Sequence, residues 1–148
     1  MKQELTPKEL AGFQNQLRRN GLKATAQRIA VHEAMVNLGH ACADSVHEWI
    51  KENSSTEVTV ASVYNILTQM TRIGIYNNRM SADNKMYFDV TTFPHLHMYD
   101  CERHRYRDII DEKLYEDILD RIGKRRFRGY TIEALDIQFI VRPTRRRP

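Results

Sequence analysis

The sequence predicts an α+β chain in two parts: an N-terminal winged helix-turn-helix domain and a C-terminal α/β domain that dimerises. Three observations carry this expectation. Helical periodicity recurs four times before residue 75, and two β-rich runs around a polar turn follow, which is the order of a winged helix. Thr91-Thr92-Phe93-Pro94 then interrupts the pattern. The remainder mixes strand and helix but is too small to be very stable unaided, so pairing with a second copy is the physical expectation. The expected organisation is 1–89 winged helix, 90–94 hinge and 95–148 dimerisation domain.

Taken in order, Thr6 caps a first helix with Pro7 at its first position. Leu10, Phe13 and Leu17 recur at helical spacing, and Asn20-Gly21 stops the run. A second helix starts near Thr25 and ends at Gly39, with Ile29, Met35 and Val36 among its apolar positions and His32 expected on its exposed face. A third follows Cys42-Ala43-Asp44, its stripe formed by Val46, Trp49 and Ile50, with His47 packing beside Trp49. Thr59 caps a fourth helix, Val60 to Ile73, whose Val60, Val63, Leu67 and Met70 share the core-facing stripe. Its other side carries Ala61, Ser62, Asn65, Thr68 and Arg72, with Tyr64 on the border. A solvated helix face usually carries Glu and Lys pairs. Short, polar, uncharged side chains ending in an arginine suit hydrogen bonds and methyl contacts to base edges in a major groove. In a winged helix the helix before the wing is the reader.

Ile75–Met80 and Lys85–Asp89 flank the turn Ser81-Ala82-Asp83-Asn84 as a hairpin. Beyond the break, Tyr106 to Ile110 reads as a strand and Asp111 to Ile122 as an amphipathic helix with acids in its first turn. Lys124-Arg125-Arg126-Phe127-Arg128-Gly129 is a basic turn, Thr131 to Val141 alternates as a further strand, and Arg145–Pro148 reads as a frayed tail.

Composition narrows the function classes. Apolar residues make up 41% of the 148 and charged residues 28%, the balance of a folded, soluble chain. No apolar run approaches the roughly 18 residues of a membrane span, and the polar start lacks a secretory stretch, so a cytoplasmic protein without membrane contact is expected. Net charge is +4, of which residues 1–89 hold +1 and residues 90–148 hold +3. Any DNA affinity must therefore come from local placement of cations. Cys42 and Cys101 form no C-x-x-C pair, which gives no thiolate zinc site. No Gly-rich phosphate loop and no nucleophile motif is present.

The chemistry-bearing stretch is Phe88 to His97. Asp89 ends a strand, and His95 and His97, two apart, point to one face of an extended segment. Both imidazoles can then reach one metal ion beside the Asp89 carboxylate. His40 upstream and Asp108 downstream are further candidates.

These residues resemble the ferric uptake regulator family of metal-dependent bacterial repressors. The resemblance runs through Gly21-Leu22-Lys23-Ala24-Thr25-Ala26-Gln27-Arg28, Gly39-His40-Ala41-Cys42-Ala43-Asp44, Ala61 to Leu67, Tyr87-Phe88-Asp89-Val90 and His95-Leu96-His97. It implies a homodimer that binds double-stranded DNA at a palindromic A/T-rich operator and holds one divalent metal per subunit. The implied ligands are His40, Asp89, His95, His97 and Asp108. Two aspartates with three histidines look like the peroxide-sensing branch, and this N/O set suits Fe²⁺, Mn²⁺ or Zn²⁺. The resemblance places Lys23 toward the minor groove and Tyr64 against thymine methyls; with Ser62, Asn65 and Thr68 of the fourth helix's polar face, and Arg28, these are the candidate DNA-binding residues. Three departures stand out. The structural-zinc C-x-x-C region reads Asp100-Cys101-Glu102-Arg103, so no four-cysteine zinc is expected. Asn65 stands where relatives often have arginine. Pro94, Leu96 and Tyr115 occupy the positions of a second histidine-acid site. Other readings are a haem-responsive regulator using Cys101 near His95, His97 and His104, a small metallohydrolase, and a metal buffer that never touches DNA.

Overall fold

The computed structural model describes residues 2–91, 94–133 and 135–145. The chain divides into two compact units, Met1–Thr92 and Phe93–Pro148. Thr92 and Phe93 of the expected hinge, Ala134 and the last three residues of the expected tail lie outside the described residues.

The first unit is built from α1 (Pro7–Arg19), α2 (Ala26–Leu38), β1 (His40–Ala41), α3 (Ala43–Asn53), α4 (Val60–Arg72), β2 (Asn77–Met80) and β3 (Met86–Asp89). Local chemistry sets the helix starts. Thr6 and Glu9 form a reciprocal capping box on α1, and Thr25 and Thr59 accept from the N–H groups of Arg28 and Ser62. Phe13, Leu17, Ala34, Met35, Val46, Ile50, Val63, Leu67 and Met70 share one core with Tyr76 and Phe88 of the wing. Val60, expected in the α4 stripe, is instead exposed at the first position of the helix.

His32 does not sit on an exposed face. Its ring stacks on Phe13 at 4.1 Å and 3°, and its Nδ1 lies 2.7 Å from the Tyr76 hydroxyl oxygen. Burial pushes its pKa down to about 4, with Glu9 opposing weakly. The helical period misled here because α1 covers this side of α2.

The wing has a third strand that periodicity could not show. Gly39, at φ 73°, ends α2 and turns the chain into a two-residue strand pairing antiparallel with β3, giving the order β1-β3-β2. Only glycine adopts that backbone readily.

The second unit contains β4 (Leu96–Asp100), β5 (Arg105–Ile109), α5 (Glu112–Gly123) and β6 (Gln138–Val141). β4 and β5 form an antiparallel hairpin, and β6 returns parallel to β4 on its other side, so the order is β5-β4-β6. Among the described residues, the strand expected over Thr131–Val141 is limited to Gln138–Val141. Ile132 is exposed and makes no ladder, so alternation in that stretch does not report a buried face. Helix α5, capped by Asp111, buries none of its residues, and Phe139 and Ile140 of β6 are exposed.

Candidate metal centre and reader helix

Strand register gathers the acidic and imidazole side chains. In the first unit His40 stands directly opposite Asp89 in the β1–β3 ladder. Its Nδ1 lies 3.6 Å from Asp89 Oδ2, and the Asp89 residue is 1% exposed. The Thr91 N–H donates to Asp89 Oδ1 at 2.8 Å, and Arg79 Nη2 lies 3.7 Å from Oδ2. A carboxylate buried this deeply needs such partners. Arg79 was not singled out by sequence; the signal was its inward position in the hairpin, where Asn78 and Met80 on either side point out.

In the second unit His97 faces Asp108 across the β4–β5 ladder. Asp108 Oδ1 lies 3.0 Å from His95 Nε2 and 3.7 Å from His97 Nε2. The two imidazole rings are 4.3 Å apart, as expected for residues two apart on one strand face. Both are buried, while Asp108 is half-buried. Tyr106 packs edge-on against His97 at 6.0 Å and fixes its orientation.

Each half therefore brings its predicted ligands together. The first supplies one imidazole and one carboxylate, the second two imidazoles and one carboxylate. This N/O donor chemistry fits a divalent first-row cation and gives no thiolate for copper(I). Cys42 is buried beside Ser45. His104, raised as part of a haem site, takes a positive φ of 51° at the β4–β5 turn, and its Nδ1 lies 3.0 Å from the Tyr99 hydroxyl.

On α4, Tyr64 and Asn65 are exposed, Ser62 and Thr68 half-buried. The Tyr64 ring meets Phe88 edge-on at 6.3 Å, which leaves it 46% exposed beside the wing. Thr68 donates its hydroxyl to the Tyr64 carbonyl, and the Ser62 hydroxyl accepts from Thr59. Lys23 is exposed. Arg28 is tethered: its Nη1 donates to the Lys23 carbonyl at 2.7 Å and its Nη2 to Gln69 Oε1 at 3.0 Å. Its guanidinium holds the α1–α2 turn against α4.

Four helices with a three-stranded wing, followed by a small α/β unit with buried histidines beside an aspartate, define a two-part winged-helix protein. The ferric uptake regulator family model matches residues 19–139, and the chain belongs to that family. The chain is 31% identical over 88 residues to the peroxide-responsive repressor PerR of Staphylococcus saprophyticus, covering 59% of this chain and 58% of the relative. It thus spans less than three fifths of the length of the curated relatives it matches. The fold is similar to that of the Vibrio cholerae ferric uptake regulator (TM-score 0.74, 18% identity, 88% of this chain and 99% of that one). It is also similar to that of the Pseudomonas aeruginosa ferric uptake regulator with manganese (TM-score 0.69, 21% identity, 88% and 97%).

Proposed function

We propose that the chain is a homodimeric, divalent-metal-dependent transcriptional repressor of the peroxide-sensing branch. Its ion is bound by His40, Asp89, His95, His97 and Asp108. The observation that carries this is the convergence of His95 and His97 on the Asp108 carboxylate, at 3.0 and 3.7 Å. Neither half completes a coordination shell of four to six donors alone, two coming from the first unit and three from the second. One ion drawing on both fixes the wing relative to the dimerisation unit, and in a dimer it fixes the separation of two reader helices. Metal and DNA binding are then linked through the closed state.

DNA is read by α4 through Tyr64, Asn65, Ser62 and Thr68, with Lys23 on phosphate or in the minor groove and Arg28 positioning the Lys23 turn. The unburied α5 face and the exposed Phe139 and Ile140 on edge strand β6 support dimerisation through the second unit. Family membership speaks against a hydrolase. Five protein donors also leave little room for a catalytic open position.

The test is binding to a palindromic A/T-rich duplex after chelation, with and without Fe²⁺, Mn²⁺ and Zn²⁺, His95→Ala beside the parent. Metal-dependent binding abolished by the substitution is expected. Binding indifferent to both would refute the switch. The branch is read by mass spectrometry of the Fe²⁺ form exposed to peroxide. A peroxide sensor gains oxygen on the peptide carrying His95 and His97, whereas an iron sensor does not.

A further inference from the structure

The face of the second unit opposite the histidines carries an unassigned cationic concavity. Side chains alternate across a strand, so Met98 and Asp100 of β4 and Arg105 and Arg107 of β5 share the face that His97 and Asp108 do not. Register sets Arg107 opposite Met98 and Arg105 opposite Asp100, while β6 sets Val141 beside Asp100. With Arg103 from the hairpin turn and Arg142 after β6, these residues line a hollow of about 620 Å³. That size lies within the roughly 300–1,000 Å³ of small-molecule sites.

Its charge is unbalanced. Four arginines line it with one acid, Asp100. Asp100 Oδ1 accepts from the backbone N–H groups of Glu102 and Arg103, which commits that oxygen to the turn. Arginines scattered on a sheet are ordinary solvated side chains, but four around one hollow repel one another, and an anion removes that repulsion. Met98 and Val141 add apolar surface to the lining, against which arginine stems can pack while their charged ends stay in solvent. A guanidinium fork matches phosphate oxygens in a bidentate way. Arg105 and Arg107 stand two residues apart on β5, roughly 7 Å along the strand, and Arg103 and Arg142 come from two further segments, a spread that two linked phosphates span better than one.

The geometry points to a binding site here for a small molecule carrying two or more phosphate groups, bridging Arg103, Arg105 and Arg107 on the hairpin to Arg142 beyond β6. Such a ligand ties the chain after β6 to the β4–β5 hairpin and stabilises the unit by mass action. None of the residues lining it belongs to the proposed metal-ligand set.

The experiment is titration of the full chain with pyrophosphate, ADP and orthophosphate at matched ionic strength, followed by calorimetry and by amide NMR shifts. Pyrophosphate is expected to bind about tenfold or more tightly than orthophosphate, and Arg105→Gln/Arg107→Gln to weaken it by at least about tenfold. The control Arg125→Gln/Arg126→Gln, in the other basic stretch, is expected to change nothing. Tighter binding of ADP than of pyrophosphate would identify a nucleotide, and equal binding the phosphates alone; both support the site. Shifts confined to residues outside 98–107 and 141–144, equal losses in both variants, or affinity that follows ionic strength alone would overturn it. So would displacement of pyrophosphate by duplex DNA, which would make the hollow part of a nucleic-acid surface. If the double variant fails to fold, Arg142→Gln is read by the same shifts and carries the same outcomes.

Discussion

Replacing His32 should remove a defined part of the acid sensitivity of the first unit. His32 is stacked between Phe13 and the wing tyrosine Tyr76, and burial lowers its pKa from 6.5 to about 4. The folded chain keeps the ring neutral in that interval, while the unfolded chain takes up a proton below 6.5. Stability is therefore fully present above pH 6.5 and is lost as pH falls toward 4, below which both states are protonated. Each tenfold difference in proton affinity between the folded and unfolded chain is worth roughly 1.4 kcal/mol, so the loss across this interval is about 3 kcal/mol. That is a large part of a typical stability of about 5–15 kcal/mol. His32→Phe keeps a ring against Phe13 but removes the titration. It also deprives the Tyr76 hydroxyl of its partner, a penalty of about 1–3 kcal/mol that does not depend on pH. The comparison is thus between slopes. Urea unfolding from pH 7 to pH 4, followed by the fluorescence of the single tryptophan Trp49 in the first unit, should show the variant losing about 3 kcal/mol less than the parent. Equal slopes would refute the assignment of a neutral, buried His32.

Other expectations follow from the same geometry. Asp108→Asn removes the carboxylate on which His95 and His97 converge and should weaken metal binding by about 10–100-fold in a competitive chelator titration, with the circular dichroism spectrum unchanged. Thr59→Ala removes the cap of α4 and should cost about 1 kcal/mol, about 4–8 °C in Tm by calorimetry. Tyr64→Ala should lower DNA affinity while barely moving Tm, because the ring is 46% exposed. Lys23→Ala should weaken DNA binding and reduce the slope of log affinity against log salt by about one.

Much of this molecule was legible in its sequence, and the exceptions have physical causes. The four helices were readable because threonine caps and apolar spacing are local signals, and Thr6, Thr25 and Thr59 do cap their helices. The pairing of His97 with Asp108 was less direct, because it depends on a hairpin register that only the closed turn fixes. His40 reaches Asp89 through a two-residue strand created by a left-handed Gly39, too short to leave any periodicity. His32 looks like a surface residue in its own helix and is covered by Phe13 of α1. The alternation from Thr131 onward reports no buried face, and among the described residues only its last four, in β6, find a ladder partner, in β4.

The central claim is that one ion and one DNA duplex are bound by the same closed state. It is tested most directly by measuring Mn²⁺ affinity of the full chain with and without a palindromic A/T-rich duplex, alongside duplex affinity with and without Mn²⁺. Each ligand is predicted to raise the other's affinity by the same factor, about 5–150-fold. Duplex binding that leaves Mn²⁺ affinity unchanged would contradict it.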